Sequence, residues 1–152
     1  MKRSRRVALV LSLLVLLAAT PVQAAQPTSV SLAGCYYANS GTIAVPAGTA
    51  LNLTIGWGTD KLWEQGMFLL SVKTVADIDG VPIDHANRYF GLPAYTSGVW
   101  VERWTYLAGP LTVGKSITIT YQWIFRFPVY ANGAWVPSGP QFPPLTCRIT
   151  GA

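Results

Sequence analysis

From Ile117 to Phe127 the side chains alternate with a period of two over eleven residues. Ile117, Ile119, Tyr121, Trp123, Phe125 and Phe127 hold the odd positions, and Thr118, Thr120, Gln122, Ile124 and Arg126 the even ones. A β-strand sends successive side chains to opposite faces, whereas a helix groups them every three or four. The segment therefore reads as one long strand, its odd face in the core and its even face toward solvent. Leu51, Leu53, Ile55 and Trp57 repeat the pattern against Asn52, Thr54 and Gly56. Further strands are expected at Val30 to Tyr36, Thr42 to Val45, Phe68 to Val75 and Val99 to Leu107, with shorter ones at Val81 to Asp84 and Leu145 to Thr150. Helical periodicity is nearly absent, and only Thr59 to Gly66 suits a helical turn. Asp79-Gly80 and Asn132-Gly133 are two-residue hairpin turns, in which both central residues take positive φ. Short strands spaced by turn signals predict an all-β fold, an antiparallel β-sandwich.

The chain opens with Lys2, Arg3, Arg5 and Arg6, an apolar run from Val7 to Ala19, and Thr20-Pro21-Val22-Gln23-Ala24. A basic start, a short apolar stretch and a small-x-small site describe a secretory signal peptide over residues 1–24, with a single domain at 25–152. The apolar run is shorter than the roughly 20 residues of a membrane-spanning helix, so no permanent span is expected. The formal net charge of +5 belongs mostly to this segment: it holds four of the 11 basic residues and none of the 6 acidic ones. The rest carries seven against six, and its cations stand singly along the sequence. Nucleic-acid binding calls for a clustered basic footprint, so nucleic acid is not an expected partner.

Cys35 and Cys147 are the only cysteines. Export to an oxidising compartment favours their pairing, and two cysteines allow one intramolecular bridge. That bridge would join the N- and C-terminal strands. Closing a loop of about 100 residues contributes roughly 4.7 kcal/mol in the chain-entropy account. One alternative stands beside it. Leu32-Ala33-Gly34-Cys35 matches a bacterial lipobox, in which Cys35 is lipidated and becomes the mature N-terminus. Twelve residues separate that motif from the apolar run, and lipidation would strand Cys147.

A series of short motifs carries a resemblance. Pro46-Ala47-Gly48-Thr49 leads into an alternating strand, and Asp79-Gly80-Val81-Pro82 and Tyr89-Phe90-Gly91 follow. Then come Trp100-Val101-Glu102-Arg103-Trp104-Thr105-Tyr106 and Gly109-Pro110-Leu111-Thr112-Val113-Gly114. This order resembles small exported bacterial proteins with an immunoglobulin-like or fibronectin III-like β-sandwich. The resemblance implies an immunoglobulin-like fold and an extracellular setting, and it brings no catalytic residues with it. Cys35 and Cys147 lie too far apart in sequence for the usual immunoglobulin bridge.

Little in the sequence points to chemistry. His85 is the one histidine, and no G-x-S-x-G elbow accompanies it. The carboxylates are Asp60, Glu64, Asp77, Asp79, Asp84 and Glu102, and a glycosidase would need two of them about 5–9.5 Å apart. Asp77, Asp79 and Asp84 supply oxygen ligands of the kind calcium takes, but without the EF-hand spacing, and Asp-Gly is also an ordinary turn. One histidine and a bridged cysteine pair do not make a zinc site. No catalytic set, metal or cofactor is expected.

The aromatic residues are the remaining feature: all 6 Trp, 7 Tyr and 5 Phe follow residue 25. Most belong to the core of so short a domain. Trp100, Glu102, Trp104 and Tyr106 share one face of a strand and Val99 and Val101 the other, and either face could point inward. The Asn132-Gly133 turn sets Tyr130 opposite Trp135, with Pro128 and Pro137 flanking the pair as befits an edge hairpin. Tyr130 and Trp135 are thus candidate ligand-binding residues, with Trp63 and Tyr95 as weaker ones in loop-like contexts. The expected function is a secreted, non-enzymatic β-sandwich serving as an interaction or structural module at the cell surface, with a protein or glycan as its partner; the alternative is a carbohydrate-binding module with an exposed aromatic platform, and a secreted hydrolase is less favoured. Mass spectrometry of the exported chain should find a start near Ala25 and an unreduced mass two hydrogens below the reduced one. A diacylglyceryl group on Cys35 would refute that assignment.

Overall fold

The computed structural model describes residues 26–37 and 41–152. The signal segment read at residues 1–24 lies outside the described residues. The strands are β1 (Thr28–Ser31), β2 (Thr42–Val45), β3 (Leu51–Thr59), β4 (Val72–Ile78), β5 (Val81–Pro82), β6 (Ala94–Thr96), β7 (Val99–Ala108), β8 (Ser116–Phe125), β9 (Val129–Ala131), β10 (Ala134–Val136), β11 (Gly139–Pro140) and β12 (Leu145–Gly151). Two α-helices, α1 (Leu32–Tyr37) and α2 (Leu62–Ser71), and a 3-10 turn at Ala86–Tyr89 complete the set. The fold is mostly β. One sheet runs β1-β3-β7-β6 and the other β2-β12-β8-β4-β5, with β11 also on β8; β9 and β10 form a separate hairpin.

The two larger sheets meet through aromatic side chains. The long alternation becomes β8: Ile119, Tyr121, Trp123 and Phe125 are buried, and the even positions from Thr118 to Ile124 are half-exposed. Trp104 of β7 packs on Tyr121 with ring centroids 4.9 Å apart, and Trp57 of β3 lies 5.6 Å from Phe125. Phe68 of α2 stacks on Trp57 at 5.3 Å and meets Trp123 edge-on at 5.1 Å. It also meets Phe125 and Phe90 edge-on, so one helical residue joins both sheets. Edge-to-face and offset pairs of this kind add about 0.5–1.5 kcal/mol each beyond burial of area.

The structure departs from the sequence reading in several places. Val30 to Tyr36 is not one strand, for the chain leaves β1 at Ser31 and coils into α1. Leu32 and Cys35, three apart, are both buried, a helical spacing. Phe68 to Val75 is likewise divided. Glu64, Gln65, Phe68 and Ser71 are the buried residues of α2, again at helical spacing, and β4 begins only at Val72. A short apolar run such as Met67 to Leu70 fits helix and strand alike. The Val81 to Asp84 strand shrinks to β5. Phe127, expected inside, is 41% exposed because β8 ends at Phe125.

Nor are the sheets antiparallel throughout. β1 pairs with β3 in parallel, and β2 with β12 in parallel. β2 lies in the other sheet, so the chain crosses over and returns as β3 beside β1 in the same direction. Cys35 is bonded to Cys147, with Cα atoms 5.5 Å apart, so the bridge ties α1 to β12 rather than one terminal strand to another. The two turns form with positive φ at Asp79, Gly80, Asn132 and Gly133.

Open edges are closed by side chains. Asn87 donates through Nδ2 to the Val72 carbonyl at 2.7 Å and accepts the Thr74 N–H at 2.7 Å, so its amide stands in for a strand along β4. Close backbone approach matters at the other end of the fold. A Cβ on Gly151 would sit 2.6 Å from the Thr112 carbonyl oxygen. Gly151→Ala should destabilise the domain by about 1–3 kcal/mol in urea unfolding, as overpacking does. Gly66→Ala should do the reverse by about 0.5–1 kcal/mol, because α2 leaves open space there. Equal effects from the two substitutions would contradict this packing.

Candidate functional site

The Asn132-Gly133 hairpin sets Tyr130 directly across from Trp135, and their rings meet edge-on at 5.4 Å. α2 brings a third ring to the pair. Trp63 stands in the first turn of α2, pointing away from the buried face, and stacks on Tyr130 at 5.7 Å with a 13° interplanar angle. Trp63 is 55% exposed and Trp135 65% exposed. Three of the four candidates named from sequence therefore form one aromatic cluster.

The hairpin is fixed in place rather than projecting freely. Val129 and Ala131 point inward and are buried. Asn132 ties the turn to the end of β3, the start of α2 and the residue that follows β3. Its N–H donates to Glu64 Oε2 at 3.2 Å, its Nδ2 donates to the Gly58 carbonyl at 3.2 Å, and its Oδ1 accepts the Asp60 N–H at 2.9 Å. These bonds hold the cluster in one arrangement.

Beside the cluster runs an open groove of about 720 Å³, lined by Met67, Phe127, Pro128, Trp135 and Pro137. Trp135 belongs to both. Almost no polar atom faces this groove. Met67, Phe127 and the two prolines were not among the candidates, though the end of the β8 alternation could have flagged Phe127. Tyr95 lies elsewhere: it is 62% exposed on β6 and packs on Trp100 at 5.3 Å.

Two of the aspartates hold backbone N–H groups. Asp79 Oδ1 accepts the Thr118 N–H at 2.7 Å, and Asp77 Oδ1 accepts the Gly80 N–H at 3.2 Å. Among the described residues no three His, Cys, Asp or Glu side chains gather closely enough to hold a metal ion. His85 is exposed at the head of the 3-10 turn, in left-handed backbone.

Glu102 is the residue whose setting sequence left open. The face carrying Trp104 turns inward, and Glu102 goes with it, fully buried opposite Trp57 on β3. Neither of its carboxyl oxygens has a hydrogen-bond partner among the described residues. Gln65 of α2 reaches the same stretch of ladder, donating through Nε2 to the Trp57 and Trp100 carbonyls at 3.0 and 2.7 Å, while its Oε1 also lacks a partner among the described residues. Burial pushes the Glu102 carboxyl up to about 7. Burial likewise drives the Tyr121 phenol far above its ordinary value, against the weaker pull of Thr74 and Trp123. The alternation of Trp100, Glu102 and Trp104 carried the signal, since a face with two tryptophans has the stronger reason to turn inward.

No protein-family model matches the chain, and no curated protein or solved structure is significantly similar to it.

The Glu102 setting fixes a pH dependence. Below pH 4.5, the ordinary value of the group, folded and unfolded chains both carry the proton and the carboxyl adds no pH dependence to stability. Between pH 4.5 and about 7 the unfolded chain releases the proton first, so stability falls as pH rises. Glu102→Gln should therefore stabilise the domain at pH 8 by about 1–2 kcal/mol, allowing for partial screening, and change little at pH 4. Thermal melts of both proteins at the two pH values check this; an equal shift at both would refute it.

Proposed function

We propose that this chain is an exported, non-enzymatic binding module of immunoglobulin-like sandwich architecture, acting at the cell surface through the Trp63–Tyr130–Trp135 cluster and its adjoining groove. The observation that carries the proposal is the cluster itself: three rings from two elements, two of them more than half exposed, held by the Asn132 bonds. Exposed aromatic surface beside an apolar groove is costly to leave in water, and such patches mark sites where something else covers them.

The chemistry of the lining favours an apolar or proline-rich polypeptide surface. Sugar hydroxyls need polar partners around the ring on which they stack, and the groove has almost none. A glycan keeps one point in its favour, the open indole of Trp135. A hydrolase of the glycosidase kind would need two carboxyl groups about 5–9.5 Å apart facing a shared cleft. Glu64 and Glu102 are buried, and no carboxylate lines any of the three cavities described. Secretion draws support from the Cys35–Cys147 bond, which leaves Cys35 no thiol for a lipid. Among the described residues no helix is long and apolar enough to cross a membrane.

Two measurements test this reading. Anilinonaphthalene sulfonate should bind the native domain saturably, and Trp135→Ala should weaken that binding several-fold. Unchanged dye binding would remove the groove from consideration. Native affinity gels containing a panel of polysaccharides separate the two ligand classes. We expect no retardation; retardation abolished by Trp135→Ala would reassign the surface to sugars.

A further inference from the structure

The cations that stand singly in the sequence are not all apart in space. Arg88, from the 3-10 turn, and Arg126, just past the end of β8, line one cavity of about 350 Å³ together with His85, Asn87 and Thr74. The two arginines are 38 positions apart in sequence. No carboxylate lines this cavity, and no hydrogen bond or ion pair found among the described residues engages either guanidinium.

The walls are rigid. The Arg88 N–H donates to the His85 carbonyl at 2.8 Å, and the Trp104 indole N–H donates to the Ala86 carbonyl at 2.7 Å. The Asn87 amide is held on β4 by its two bonds. On the other side, the Arg126 N–H donates to the Ser71 carbonyl at 2.9 Å, and the Ser71 hydroxyl donates to the Phe127 carbonyl at 2.6 Å. His85 itself is held at φ 50°. The backbones that present both guanidiniums are therefore set in advance.

We propose that this cavity is a binding site for an oxyanion, a phosphate or sulfate group, borne by a small molecule or by the end of a larger one. Two arginines lining one cavity with no carboxylate beside them leave an anion as the group that would complete its charge balance. The planar fork of arginine matches the spacing of phosphate or sulfate oxygens and binds them through paired, charge-assisted hydrogen bonds. The cavity is at the small end of the range for small-molecule pockets, which suits a head group rather than a whole polymer. This site is separate in its lining from the aromatic groove and shares no residue with it.

Isothermal titration of the mature protein with inorganic phosphate, inorganic sulfate and glucose 6-phosphate, at constant ionic strength in chloride, tests the proposal. Saturable binding of at least one is expected. Arg88→Gln and Arg126→Gln should each weaken it by roughly tenfold, the loss of a charged hydrogen bond. Arg126→Lys should fall between, since it keeps the charge and loses the fork. Lys115→Gln, at the opposite end of β8, serves as the control for net charge and should leave binding unchanged. Tighter binding of glucose 6-phosphate than of phosphate would identify an ester head group as the ligand; equal binding would identify the free anion. Absence of saturable binding by all three anions, or equal weakening by Lys115→Gln, would overturn the proposal. Far-UV circular dichroism confirms that each variant is folded.

Discussion

Phe68 is the contact on which the arrangement turns. It is a fully buried residue of α2, and its ring touches Trp57 of the first sheet, Trp123 and Phe125 of the second, and Phe90 after the 3-10 turn. Two sheets rich in tryptophan and tyrosine do not by themselves specify how they face each other, because large flat rings pack in many ways. A ring inserted between them, edge-on to three neighbours and flat on a fourth, admits far fewer arrangements. The position of α2 then follows, and with it the place of Trp63 on the opposite side of the same helix.

The buried polar groups follow from that choice as well. Once Trp104 turns inward to meet Tyr121, the strand periodicity of β7 sends Glu102 the same way. A carboxyl in such a place is an expense that a purely structural β-protein would ordinarily avoid. Here it sits beside Gln65, whose amide bridges the Trp57 and Trp100 carbonyls of β3 and β7. The same helical turn that supplies Gln65 also supplies Glu64, the acceptor that fixes the hairpin turn. Core packing and the exterior aromatic cluster are thus joined through consecutive residues of one helix.

What could be read from the sequence was whatever depends on local periodicity. β8, β3 and the two Asn-Gly and Asp-Gly turns follow from alternation and from positive φ, and the disulfide follows from having two cysteines. The pairing of Tyr130 with Trp135 was likewise a matter of counting outward from a turn. α1 and the second half of α2 were not legible, because Leu32 to Tyr37 and Met67 to Leu70 are too short and too apolar for either period to prevail. The parallel pairs, the stacking of Trp63 on Tyr130 and the placing of Arg88 and Arg126 around one cavity depend on how distant segments come together, and no local pattern encodes that.

The bond between Cys35 and Cys147 closes a loop of 112 residues around nearly the whole fold. Tension applied from outside that loop passes from one cysteine to the other through covalent bonds. It can peel away β1 and the last residues of β12, but it does not reach β3, β7, β8 or the aromatic cluster. A load applied to the two ends of the chain is therefore borne by a sulfur–sulfur bond rather than by hydrogen bonds between strands.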